Sequence, residues 1–230
     1  MDYYNGEYAG QYTGSYSTGI YGNFIVEPLD GVTRHIANGV FWDEFLKSYF
    51  DGLTKDQIVL DIGAHIGFHT IYMAQKCKHV YAFEPQLINY DRIIKNCELN
   101  NITNVTCFNV ALYNKNCKMA ANNITAQNKI NYESLQACCL IMSENEAGSV
   151  DGRTLDSFGL EKVDFIKCDA ESTDLEALYG GVETIKRCRP LIIFEESTNK
   201  NQERLNFFNT LKYDLKEITA SNFLATPRPK

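Results

Sequence analysis

The sequence predicts an α/β fold with a mostly parallel, seven-stranded sheet, helices on both faces, and an antiparallel hairpin at its C-terminal end. Apolar strand patterns alternate with segments of helical spacing, and the strand patterns lie at 58–62, 79–83, 105–110, 163–168 and 191–194. Strands that alternate with amphipathic helices indicate a parallel sheet covered on both faces. After a helical segment near 200–211, a short connection joins two further patterns, 213–218 and 223–226. This spacing predicts the hairpin, and with it an antiparallel strand at the sheet edge.

The N-terminal residues differ in character from this alternation. Residues 1–22 repeat tyrosine and glycine as Tyr-x-Gly-x, and glycine at each turn destabilises a helix by about 1 kcal/mol relative to alanine. We therefore expect 1–22 to be a disordered tail. Residues 23–53 contain short β patterns at 24–26 and 33–36 and then an amphipathic helix, and we expect them to form a cap.

The remainder predicts a single domain that spans 23–230. Within it, the polar segment 114–152 separates the third and fourth strand patterns and contains a possible extra strand at 135–142. We expect 114–152 to be an insertion, which is a suitable place for substrate contacts because loops carry specificity.

The composition is that of a soluble globular protein. Hydrophobic residues make up 44% of the 230 residues, charged residues 22%, and the net charge is −7. An acidic chain is a poor match for phosphates, so we expect no nucleic-acid partner. The first residues lack the pattern of a signal peptide, and no apolar run approaches the ~20 residues that cross a bilayer, so we expect a cytoplasmic protein without a membrane partner. Eight cysteines without a Cys-x-x-Cys pair suggest neither a zinc site nor disulfides.

Residues 58–85 have the pattern of a nucleoside-binding unit. An apolar strand ends in a glycine turn, a helix follows, and a second apolar strand ends in Glu84 and Pro85. Glycines at such a turn let the backbone approach a ligand, and an acid at the end of the second strand is placed to bond ribose hydroxyls.

Two side chains narrow the choice of nucleoside. A dinucleotide fingerprint requires Gly-x-Gly-x-x-Gly, whereas the glycines here are Gly63 and Gly67 and the middle position is His65. A side chain at that position crowds a pyrophosphate, and Asp61 at the strand end would repel one. Both features favour S-adenosylmethionine over NAD, because the sulfonium and amino groups of S-adenosylmethionine are cationic.

Carboxylates recur at the ends of the predicted parallel strands, where open α/β sheets bind ligands. In chain order they are Asp61, Glu84, Asp169, Glu171, Glu195 and Glu196. Unpaired buried carboxylates are costly, so this clustering favours a binding site. For Glu195 and Glu196, the alternative that they cap the sheet edge in solvent stays open.

Ordered motifs across roughly 23–196 resemble the FkbM-type methyltransferases. They are Asp-Ile-Gly-Ala-His-Ile-Gly from Asp61, Phe-Glu-Pro from Phe83, Thr-Leu-Asp from Thr154, and Ile-Lys-Cys-Asp-Ala-Glu-Ser from Ile166. The resemblance implies the Rossmann-like fold of class I methyltransferases and methyl transfer from S-adenosylmethionine, usually to an oxygen of a sugar or natural product. The chain departs from the family pattern where His65 replaces asparagine and where serine replaces the glycine after the last motif's glutamate.

Matching positions imply a set of site residues. The first motif would hold the methionine end, Glu84 the ribose hydroxyls, and the end of the third strand the adenine, while Asp169 would face the amino group or the reacting centre. The candidate cofactor-binding residues are Asp61, Gly63, Ala64, His65, Gly67, Thr70, Glu84, Pro85, Asn109, Ala111 and Asp169. A hydroxyl acceptor also needs a general base, for which Asp169 and Glu171 are the candidates. No spacing of metal ligands is present.

The predicted function is therefore S-adenosylmethionine-dependent O-methylation of a sugar, glycan, natural product or other small hydroxylated acceptor. Two alternatives stay open. One is a NAD-linked oxidoreductase, and the other is a catalytically degenerate domain that acts through its tyrosine-rich tail.

Overall fold

A central sheet organises the computed structural model, which describes residues 4–8, 12–26, 35–36, 38–122, 141–196 and 200–229. In chain order the strands are β1 Tyr4–Tyr8, β2 Tyr12–Gly19, β3 Gly22–Val26, β4 Ile58–Ile62, β5 His79–Phe83, β6 Val105–Phe108, β7 Ala111–Leu112, β8 Cys117–Asn122, β9 Ile141–Glu144, β10 Val150–Arg153, β11 Phe165–Cys168, β12 Leu191–Glu195, β13 Tyr213–Glu217 and β14 Asn222–Pro227. The α-helices are α1 Glu44–Asp51, α2 Phe68–Ala74, α3 Leu87–Leu99, α4 Asp174–Tyr179, α5 Val182–Cys188 and α6 Asn201–Thr210, and a 3-10 helix spans Leu155–Phe158.

The seven strands of the central sheet have the order β6-β5-β4-β11-β12-β14-β13. Neighbouring strands from β6 to β12 are parallel, which confirms the five predicted parallel strands. The terminal hairpin is also confirmed, but its antiparallel strand, β14, lies between β12 and β13 and not at the edge. After α6, strand β13 lies two positions from β12, and β14 occupies the position between them.

Helices cover both faces of this sheet. Successive residues of a strand point to opposite faces, and accordingly Val59 belongs to the core that packs against α1–α3, whereas Leu60 belongs to the core that packs against α4–α6. The longest helix, α3, has 13 residues, and no helix in the described part of the chain is both long and apolar enough to cross a membrane.

The N-terminal strands form a separate antiparallel sheet of order β1-β2-β3. The sequence predicts disorder for 1–22, whereas β1 and β2 are paired strands. The repeat explains the difference: its period of four is even, so the register pairs tyrosine with tyrosine and glycine with glycine, and tyrosine favours strands. Strand β3 attaches this sheet to the domain, because the Ile25 N–H donates to the Asn96 side-chain carbonyl at 2.7 Å.

The cap and the insertion are described in part. In the cap, α1 carries the predicted helix, while 35–36 is helical where the pattern suggested a strand; a pattern that short is ambiguous. A third sheet has the order β7-β10-β8-β9, and its strands β8 and β9 lie within the insertion. The predicted strand at 135–142 lies outside the described residues except for its last two positions, which begin β9.

Candidate active site

A cavity of about 360 Å³ opens at the carboxyl ends of β4, β5, β11 and β12. Open α/β sheets bind ligands at this edge, and the volume suits a small molecule. The apolar part of the lining includes Ile62, Phe83, Val110 and Leu112. The acidic part consists of Asp43, Glu84, Asp169, Glu171 and Glu195.

The turn between β4 and α2 depends on its two glycines. The N–H groups of Gly63 and Ala64 both donate to the Phe83 carbonyl, at 3.0 and 3.1 Å, and tie the turn to the end of β5. Gly63 has φ +74°, and a Cβ there would lie 1.7 Å from the Asp169 carbonyl oxygen, so no side chain fits. Gly67, at φ +85°, begins α2. Gly63 is therefore required by the close approach of the Asp169 backbone, and Gly67 by the left-handed backbone conformation at the N-cap of α2.

Glu84 lies at the end of β5 and is 4% exposed. Its two carboxylate oxygens accept the backbone N–H groups of His65 and Gln86, at 2.8 and 2.9 Å. Burial raises the pKa of Glu84 to about 7, although the two N–H groups act in the opposite direction. The carboxyl group is therefore fixed in position, and each oxygen retains a lone pair for a ligand hydroxyl.

A buried lysine connects β11 to β4. Lys167 is 4% exposed and lies opposite Asp61 in the parallel register. Its ammonium lies 3.2 Å from one Asp61 oxygen and donates to the Gly63 carbonyl at 2.9 Å. The Thr70 hydroxyl donates to the other Asp61 oxygen at 2.5 Å. Burial lowers the pKa of Lys167, but Asp61 and Asp169 raise it by more, so it lies above its usual value and the side chain is cationic.

Asp169 and Glu195 form a carboxyl pair at neighbouring strand ends. The Lys167 ammonium lies 3.7 Å from an Asp169 oxygen, and the negative charge of Asp169 acts on Glu195. The Ser221 hydroxyl donates to Glu195 at 3.2 Å. Burial and the Asp169 charge raise the pKa of Glu195 to about 7. Despite these carboxyl groups, the described residues contain no group of three or more His, Cys, Asp or Glu that could hold a metal ion.

The cap contributes Trp42 and Asp43 to the cavity. Asp43 precedes α1 at φ +53° and makes no side-chain capping bond. Burial and the charge of Asp169 raise the pKa of Asp43 to about 6. The Trp42 carbonyl contacts Nε2 of the buried His69 at 2.9 Å, which fastens the cap to α2. Burial and the nearby Lys167 lower the pKa of His69 to about 3, so its neutral ring donates this bond.

The predicted site residues divide into those that line the cavity and those that support it. The lining contains Gly63, Ala64, His65, Glu84, Pro85, Ala111, Asp169 and Glu171. Outside it are Asp61, Gly67, Thr70 and Asn109. The Asn109 amide donates to the carbonyl oxygens of Glu84 and Pro85, at 2.9 and 3.0 Å, so it braces the end of β5 while Val110 and Ala111 line the cavity.

Sequence reasoning did not identify Trp42, Asp43 or Lys167 as site residues and left Glu195 undecided. A signal was available for Lys167, since a lysine inside an otherwise apolar strand requires a partner when it is buried. No comparable signal exists for the cap residues, because their approach to the sheet depends on tertiary packing.

Known proteins resemble this chain in sequence and in fold. The family model for the methyltransferase FkbM domain matches residues 61–220. A protein named Methyltransferase 1, from Beauveria bassiana (strain ARSEF 2860), is 25% identical over an aligned length of 145 residues, and the match covers 54% of this chain and 58% of that protein. The chain thus spans less than two thirds of that relative's length.

Two solved structures share the fold. Methyltransferase FkbM from Methylobacillus flagellatus KT is 14% identical, with a TM-score of 0.52 over 84% of this chain and 59% of that chain. Trm5b from Pyrococcus abyssi is also 14% identical, with a TM-score of 0.52 over 94% of this chain and 55% of that chain. The predicted class I methyltransferase fold is confirmed. With more than half of its length matched by the family model, the chain belongs to the FkbM methyltransferase domain family, as its motifs predicted.

Proposed function

We propose that this protein transfers a methyl group from S-adenosylmethionine to a hydroxyl oxygen of a sugar or another small acceptor. The observation that carries the proposal is the charge of the cavity. Its acidic lining outnumbers its cations, since Lys167 is the one lysine or arginine among the described residues that line it, and Asp61 already pairs with Lys167. His65 and His69 add no charge, because burial lowers the pKa of each to about 3.

This charge distribution supports a cationic cofactor. S-adenosylmethionine carries a sulfonium and an ammonium group, which carboxylates attract, whereas the pyrophosphate of NAD would be repelled. Glu84 is placed to accept the ribose hydroxyls, and the apolar wall formed by Ile62, Val110 and Leu112 suits an adenine ring. The same acidic lining argues against an acceptor that carries phosphates.

The chemistry divides between the cofactor and the chain. When bound, S-adenosylmethionine supplies a methyl group that is already activated by the positive sulfur. The residues of the chain bind and align the two partners, exclude water, and take up the acceptor's proton. The carboxyl pair of Asp169 and Glu195 is placed to take up this proton.

Isothermal titration calorimetry tests the cofactor. We expect heat of binding from S-adenosylmethionine and S-adenosylhomocysteine and none from NAD. The absence of heat with both sulfur nucleosides would reject the proposal, and binding of NAD alone would replace it with the oxidoreductase alternative.

Transfer of a labelled methyl group tests the acceptor. We expect label to enter a neutral sugar in a panel of sugars, nucleotide sugars and RNA, and Asp169→Asn to reduce that turnover while S-adenosylhomocysteine still binds. Label in RNA would contradict the acceptor class but not the cofactor. Full turnover by Asp169→Asn would remove Asp169 from the mechanism.

A further inference from the structure

The ends of β11 and β12 bring two carboxyl groups together inside the cavity. Cys168, the last residue of β11, lies opposite Phe194 in the parallel register, so the next residue on each strand is a neighbour across the sheet edge. These next residues are Asp169 and Glu195, and both line the cavity. Two neighbouring carboxylates repel each other, so one of the pair holds a proton over a wider pH range than an isolated carboxyl group would.

The surroundings decide which carboxyl group holds this proton. The ammonium of Lys167 lies 3.7 Å from Asp169 and is anchored by Asp61, so Asp169 has a cation beside it. Glu195 is instead next to the charge of Asp169, and the Ser221 hydroxyl is its neutral donor. Burial and the Asp169 charge raise the pKa of Glu195 to about 7, so Glu195 exchanges a proton near neutral pH.

We propose that Glu195 is a further catalytic residue of this site and receives the proton that the acceptor hydroxyl loses during methyl transfer. The inference rests on the proposed function. In the step, the acceptor oxygen forms a bond to the methyl carbon, the bond between this carbon and sulfur breaks, and its electron pair neutralises the sulfonium. The acceptor's O–H proton passes to the ionised Glu195 carboxylate. Asp169 is the positioning partner, because its fixed charge gives Glu195 a proton affinity suited to a base at neutral pH.

Several other groups bear on the titration of Glu195. Those that face it from the neighbouring elements are Asp169, Glu171, Asp174 and Ser221. Glu84 titrates near the same pH in another part of the cavity. A test of Glu195 must therefore exclude the contributions to affinity that come from the ribose and from the amino acid end of the cofactor.

The ratio of the affinities for sinefungin and for S-adenosylhomocysteine excludes these contributions. S-adenosylhomocysteine lacks the methyl group, whereas sinefungin carries an amine on the carbon that replaces the methylated sulfur. The two ligands share their ribose and amino acid groups, so contacts of Glu84 contribute equally to both. The ammonium of sinefungin lies near the position of the transferred methyl group, and a carboxylate that serves the acceptor oxygen should bind it selectively.

Calorimetry should show that the wild-type protein prefers sinefungin to S-adenosylhomocysteine and that Glu195→Gln reduces this preference roughly tenfold or more, the scale of a hydrogen bond to a charged group. The preference should increase between about pH 6 and pH 8 in the wild type and change much less in the variant. Glu195→Asp should restore part of it. Glu217→Gln, a substitution of an exposed carboxylate on β13, should leave it unchanged.

Retained affinity of Glu195→Gln for S-adenosylhomocysteine shows that the variant is folded. An unchanged preference in such a variant would overturn the role of Glu195 and leave the cofactor proposal intact. If the wild type binds neither ligand, the cofactor proposal fails, and this inference is overturned with it. Asp169→Asn is a second variant: it should lower the preference as well, because the pair then lacks its fixed charge.

Discussion

The two halves of the cavity hold their carboxyl groups in opposite ways. In the β4–β5 half, which consists of the glycine turn and the end of β5, Glu84 is fixed by two main-chain N–H groups and Asp61 pairs with Lys167. In the β12 half, which consists of the cap and the ends of β11 and β12, burial and the charge of Asp169 raise the pKa of both Glu195 and Asp43. The donors around a carboxyl group therefore determine what it does, since the first half is prearranged to bind and the second is suited to exchange a proton.

Lys167 joins the two halves, and its removal should have the largest effect. Lys167→Met leaves the fully buried Asp61 carboxylate without its cation, and breaking a buried pair in this way costs about 3–5 kcal/mol of unfolding free energy. Urea denaturation measures this loss. The matched control is Lys162→Met, whose half-exposed ion pair with Asp164 should contribute less than about 1 kcal/mol. Equal losses in the two variants would contradict the charge compensation.

The glycine turn of the β4–β5 half should be the next most sensitive. Gly63→Ala combines a left-handed backbone, which costs about 1–2 kcal/mol, with a clash against the Asp169 carbonyl, which adds about 1–3 kcal/mol. Gly159→Ala separates the two causes, because Gly159 has φ +61° but no heavy atom within 4 Å of the position that a Cβ would take. We expect only the first cost there, again measured by urea denaturation. If both variants lose the same stability, the close approach of β4 and β11 is not what requires glycine.

The sequence predicts the β4–β5 half better than the β12 half. Strands β4 and β5 are mostly apolar and end at a glycine turn and at an acid, so their ends and the position of Glu84 follow from local pattern alone. Lys167 depends on register, because only the pairing of β11 with β4 places it opposite Asp61. Glu195 depends on which strand neighbours β11, and that is a property of topology. Asp43 depends on how the cap packs, for which no periodicity gives a signal.

Errors at the N-terminus have a related origin. A glycine-rich repeat argues against a helix, but it does not argue against strands that pair with one another in register. The tyrosine positions satisfy a cross-strand pattern that becomes visible only when the hairpin is folded. Local propensity therefore excluded a helix at β1 and β2, whereas their strand conformation depends on the pairing between them.

Glu84 tests whether the β4–β5 half binds by prearranged acceptors. Glu84→Ala should weaken S-adenosylhomocysteine binding by about 1–3 kcal/mol, the scale of hydrogen bonds to a charged group. Glu98→Ala, an exposed glutamate on α3, should have no effect. Because the pKa of Glu84 is raised to about 7 and ribose hydroxyls favour its ionised form, affinity should increase from about pH 6 to pH 8 with release of a proton. Calorimetry should find this slope lost in Glu84→Gln, and a persistent slope would assign the proton to another group.

Asp43 tests the opposite behaviour of the β12 half, with the smallest expected effect. Folding raises the pKa of Asp43 from 3.8 to about 6, so the native state binds this proton more tightly than the unfolded chain does. Stability associated with the group is present below about pH 4 and is lost as the pH rises through 6. Asparagine has the same N-cap preference as aspartate, so Asp43→Asn removes only the cost of ionising a buried carboxyl group. The substitution should raise the unfolding free energy by about 1 kcal/mol near pH 8, after discounting for solvent exposure, and leave it unchanged near pH 4. Glu44→Gln, at the exposed neighbouring position, should change neither value. A loss of stability near pH 8 in Asp43→Asn would mean that the carboxylates of the β12 half are compensated, as those of the β4–β5 half are, and the contrast between the halves would disappear.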